Sequence, residues 1–61
     1  MDLNYAKKGD KFLTKSGEVV TFVKEHHINN HKVIKNSKGE EYLVTQYGAA
    51  MYSRNDIIKT L

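Results

Sequence analysis

Three imidazoles within six residues, His26, His27 and His31, are the one part of this chain whose types and spacing suggest metal chemistry. Three neutral imidazoles can hold Zn²⁺ and leave a fourth position open. Between the second and third stands Asn29-Asn30, a pair suited to the positive φ of a two-residue hairpin turn. Such a turn sets Ile28 opposite His31, His27 opposite Lys32 and His26 opposite Val33. Side chains alternate along a strand, so His26 and His31 share one face and His27 points to the other. Two diagonal ligands beside a cation make a poor site, and the expectation is no metal and no cofactor.

Catalytic groups are sparser still. Ser16, Ser37 and Ser53 stand in turn contexts where Ser is expected for backbone reasons. Glu40 and Glu41 are strand neighbours and face opposite ways, so they cannot work as a carboxylate pair. There is no Gly-rich phosphate loop. One small core gives little room to exclude water, and the chain reads as a non-enzyme with no catalytic residues.

Two sets of residues fit binding instead. Tyr47, Met51, Tyr52 and Arg54 gather two Tyr, a Met and the only Arg of the chain. Tyr and Arg are the types most enriched at interface hot spots, and Met adapts to irregular partner surfaces. Gly48 lets the chain turn between them. The competing account is that this apolar stretch plugs one end of a barrel; Tyr42 is read as core. The second set is Lys7, Lys8, Lys11 and Lys15, the densest basic stretch. It is either a solvated face or an edge that follows phosphates.

The elements that must carry these residues are strands. Glu18–Glu25, Lys32–Asn36 and Glu40–Thr45 are rich in Val, Ile, Thr, Phe and Tyr, which suit a pleated, half-buried surface. Asn29-Asn30 and Gly39 separate them, so a three-stranded antiparallel meander is expected at the centre. Lys11–Thr14 is a short strand before it, and the turn Lys15-Ser16-Gly17-Glu18 joins the two. Val20 and Phe22 fall on one face of the long strand and Val19 and Val23 on the other, as in a bent strand serving a small barrel. Ser53-x-x-Asp56 has capping-box spacing. Ile57–Leu61 fits a helix or a strand, and a closing strand after one helical turn is favoured because a sheet edge needs covering. Residues 1–8 read as a flexible lead-in, with Leu3 and Tyr5 able to pack back, and residues 9–61 as one domain.

Composition bounds the rest. A chain of 61 residues makes one domain that buries only about 60% of its unfolded surface. It has no Cys, no apolar leader and no apolar run near the ~20 residues of a membrane span. The expectation is a soluble protein of the cytoplasm, with no membrane partner. Ten Lys and Arg against seven Asp and Glu give a net charge of +3, which permits nucleic acid without demanding it. A single Arg argues against sequence-specific base reading.

The succession Gly9-Asp10, short strand, Ser16-Gly17, long strand, two hairpins and a Ser-x-Asn-Asp turn before a last apolar strand resembles small SH3-like barrels, the group of KOW and Tudor domains. The Lys- and Asn-rich, Pro-free style is similar to short proteins of tailed bacteriophages. The resemblance covers residues 9–61. It implies an all-β SH3-like barrel of about five short antiparallel strands with one helical turn near the C-terminus, acting as a binding module. A phage-type protein that binds, and by binding inhibits, a host protein in the host cytoplasm is the leading expectation. A nucleic-acid-binding domain using Lys7, Lys8, Lys11 and Lys15 is the alternative.

Overall fold

The computed structural model describes residues 2–28 and 30–61. Five strands form one antiparallel sheet: β1 (Lys11–Thr14), β2 (Val19–Glu25), β3 (Lys32–Lys35), β4 (Glu41–Val44) and β5 (Ile57–Thr60). A single 3-10 turn, η1 (Ser53–Asn55), precedes β5. The spatial order is β4-β3-β2-β1-β5, so β2, β3 and β4 make the expected meander and β5 returns beside β1. The segment after β4 bonds to both edge strands. Thr45 N–H donates to Ala49 C=O, Val44 bridges to Ala50, and Ile57 N–H donates to Gly48 C=O.

The inner face of this curled sheet is apolar. Phe12, Val20, Phe22, Ile34, Val44 and Ile57 are buried together, with Ala6, Tyr42 and Ala50 packed against them. Leu3 joins them at 1% exposure, held by its N–H donating to Gln46 C=O at 2.7 Å. The stretch read as a lead-in thus supplies a core residue, whereas Tyr5 is exposed. Val19 faces out and Val23 is half-buried. The tight turns use Gly17 and Gly39 at positive φ, and the Asn36 side chain holds the β3–β4 turn by accepting from Lys38 N–H and Glu40 N–H.

Two local expectations are corrected. The β2–β3 hairpin pairs Lys24 with Val33 and Glu25 with Lys32, and His26 N–H donates to His31 C=O. His26 therefore faces His31 rather than Val33, and Lys32 faces Glu25 rather than His27. A bulge between Phe22 and Lys24 advances the register, and Lys32 fixes it. Its buried ammonium bonds to Glu25 and donates to Asn4 Oδ1 at 2.9 Å. His31 N–H closes the tip onto Ile28 C=O, and Asn30 takes φ 58°; Asn29 of the expected turn pair lies outside the described residues. The second correction concerns Ser53. It is the first residue of η1, Tyr52 occupies the cap position, and no side chain caps it. Asp56 instead accepts from Ala50 N–H at 2.8 Å.

Candidate functional site

The segment Thr45–Asn55 is built to display side chains. Thr45 Oγ1 accepts from Tyr47 N–H and Ala49 N–H, which curls the chain at the end of β4. Gly48 turns inward against Ile57 with φ +88°, and Ala50 is half-buried. With Gly48 and Ala50 turned in, the large residues stand out: Tyr47 is 65% exposed, Met51 88% and Tyr52 58%. Arg54 is also exposed, and its guanidinium lies over the Tyr52 ring at 5.2 Å, a cation–π contact. The chain thus brings Tyr52 and Arg54 into contact and sets Met51 beside Tyr52. Tyr47 stands on the preceding turn.

Met51 and Tyr52 also form one wall of a groove of about 440 Å³. Tyr42 and Leu43 of β4 line the facing wall, with Asn36, Glu40, Glu41 and Asn55 around them. Neither β4 nor the β3–β4 turn was singled out as part of a site from the sequence. The groove arises where β4 and residues 51–55 diverge after the turn that joins them, which no local pattern marks. Tyr42 is half-buried and packs on the core as expected, and burial, then the nearby Glu18 carboxylate, push its phenol above the ordinary range.

The lysines divide. Lys7 and Lys8 lie in the turn before β1, where Lys7 N–H donates to Asp10 Oδ2. Lys15 follows the other end of β1, roughly 13 Å of strand beyond Lys11, and its N–H donates to Asp56 C=O. Only Lys11 stands on the outer sheet face. There pairing adds residues the sequence reading did not include. Thr21 lies between Lys11 and Lys35, and Lys59 lies opposite Leu13. Alternation along each strand would have placed Lys35 and Lys59 there had the register been known.

At the hairpin tip the His26 and His27 rings stack at 4.6 Å. His26 Nδ1 accepts from Ile28 N–H, and His31 Nδ1 donates to Ile28 C=O. Among the described residues no group of three His, Cys, Asp or Glu is placed to hold a metal ion, and no helix is long and apolar enough to cross a membrane. Comparison of the chain with known protein families, curated proteins and solved structures finds no match.

Proposed function

We propose that this chain is a non-enzymatic binding module, an SH3-like barrel that engages a protein partner through Tyr47, Met51, Tyr52 and Arg54. The observation that carries the reading is their exposure. A chain this small places two Tyr, a Met and its only Arg where its core does not use them. The types are those of interface hot spots, and the groove beside Met51 and Tyr52 gives a partner side chain somewhere to enter. The strand order β4-β3-β2-β1-β5 and the 3-10 turn before the last strand support the barrel assignment. The resemblance to short proteins of tailed bacteriophages makes the partner a host cytoplasmic protein, and occupying a functional surface of that protein would inhibit it.

The test is capture from nuclease-treated bacterial extract, followed by affinity measurement on the retained protein. Tyr47→Ala and Arg54→Ala should each weaken binding by more than about 1 kcal/mol while leaving the melting temperature nearly unchanged. Loss of binding in step with loss of stability would place both residues in the core and remove the assignment.

A second reading has its own observation. Lys11 and Lys35 flank Thr21, and Lys59 stands opposite Leu13 on the same outer face. Such a face suits non-sequence-specific contact with phosphates.

A further inference from the structure

β4 is an edge strand whose outer side is paired at one end by the Val44–Ala50 bridge, which sets Met51 opposite Leu43, and pairs with no strand from there back to Glu41. Asn36 N–H donates to Glu40 C=O, so the β3–β4 ladder has a hydrogen-bonded pair at that point. Alternation then makes Lys35–Glu41 and Val33–Leu43 the non-bonded pairs. Glu41 and Leu43 therefore turn their N–H and C=O groups away from β3. Further along, the same edge is closed by the Val44–Ala50 bridge and by Thr45 N–H on Ala49 C=O. From that bridge the two segments splay apart, and the groove lies in the fork. Its walls are Tyr42 and Leu43 on one side and Met51 and Tyr52 on the other. Its only charged lining groups are Glu40 and Glu41. Neither is in a salt bridge among the described residues; Glu40 accepts from Asn36 Nδ2, and Glu41 stands across the ladder from Lys35.

We propose that this fork takes an extended, basic segment of a partner polypeptide, which adds to β4 as a further strand by bonding to Glu41 and Leu43. The proposal rests on the protein-binding reading above and names the partner's chemistry. An unpaired strand edge is a template for another strand, and main-chain bonds supply affinity while alternate side chains supply selectivity. The free stretch is short, so the match must come from side chains as well. Alternate apolar residues of the segment meet Met51 and Tyr52, and its Lys or Arg side chains meet Glu41 on β4, with Glu40 just beyond it at the turn. The same carboxylates repel acidic segments, which limits indiscriminate pairing.

The test uses the full chain labelled with ¹⁵N and a short blocked peptide alternating Arg with Val and Thr. Two controls are the same peptide with Glu for Arg and a version N-methylated at alternate amides. The basic peptide should shift the Glu41 and Leu43 amides and slow their hydrogen exchange, and both controls should bind at least roughly tenfold more weakly. Joint reversal, Glu40→Lys with Glu41→Lys, should move the preference to the Glu-containing peptide. Leu43→Pro removes an outward N–H without touching the β3 ladder and should abolish binding. If that variant unfolds, the N-methylated peptide makes the same test on the unaltered chain. Equal binding of the N-methylated peptide, shifts confined to other surfaces, or no binding by any peptide overturns the proposal. A captured partner that depends on Tyr47 and Arg54 while the Glu41 and Leu43 amides stay unprotected would leave the general binding reading standing and remove this one. The converse result, strand addition without that dependence, would remove the general assignment of residues and keep the fork.

Discussion

The Tyr42 hydroxyl is the one buried side-chain polar atom among the described residues that has no hydrogen-bond partner. A buried, unsatisfied hydroxyl costs more than it returns. Tyr42→Phe should therefore be neutral or stabilising by up to about 1 kcal/mol, read by denaturant unfolding. The same residue gives a pH signature. Desolvation, then the Glu18 carboxylate, raise the phenol above its ordinary range, so the folded chain keeps a proton that the unfolded chain releases first. The contribution to stability is full below the unfolded phenol's pKa and is lost as pH rises through the raised folded value. Tyr42→Phe should flatten that alkaline loss relative to the parent chain; identical alkaline limbs would show that the phenol is not the responsible group. At this scale the candidate site was partly legible. The types of Tyr47, Met51, Tyr52 and Arg54 marked the stretch, but its spacing follows no strand period, so the sequence left a contact patch and a barrel plug both open. The groove they border was not legible, because Glu40, Glu41, Tyr42 and Leu43 reach it only through tertiary divergence of β4 from residues 51–55.

At the scale of elements, strand positions follow from β-branched and aromatic runs cut by Gly and Asn. Expected and observed bounds agree within one residue for β1 to β4, and β5 is the favoured strand rather than a helix. Register is another matter. Pairings two residues apart keep every side chain on its face, so hydrophobic pattern cannot choose between them. The bulge at Val23 and the bonds of Lys32 to Glu25 and Asn4 make the choice, and the partners lie seven and 28 positions away in sequence. Leu3 escaped firm assignment for the same reason: its burial depends on Gln46. Gly48 allows a clean test of the closing segment. A Cβ there would stand 3.2 Å from Ile57 Cβ and 3.3 Å from its carbonyl oxygen, whereas one at Gly39, with φ +82°, meets nothing within 4 Å. Both positions strain a non-Gly residue by about 1–2 kcal/mol. Gly48→Ala should cost more than Gly39→Ala, with the excess measuring contact between the 45–50 segment and β5. Equal losses would mean that the segment gives way freely.

For the molecule as a whole, the salt dependence of binding separates the two binding readings. The fork beside β4 carries Glu40 and Glu41 and the outer sheet face carries Lys11, Lys35 and Lys59, the two meeting where Lys35 stands across from Glu41. A net charge of +3 is too small to dominate at a distance through physiological salt, so each surface acts through its own near field. If nucleic acid is the ligand, affinity falls with salt, at a log–log slope of roughly −0.7 per phosphate contacted on a single strand. Replacing Lys11, Lys35 and Lys59 by Gln should then reduce the slope by about two units if each meets one phosphate. Replacing Lys7, Lys8 and Lys15 should reduce it less, because Lys15 is separated from the other two by the length of β1 and none of the three lies within a strand. The opposite ranking would move the contact to the N-terminal turn. No measurable binding to single- or double-stranded probes even at low salt would remove nucleic acid from consideration, and the lysines of the outer face would then be solvated surface charges.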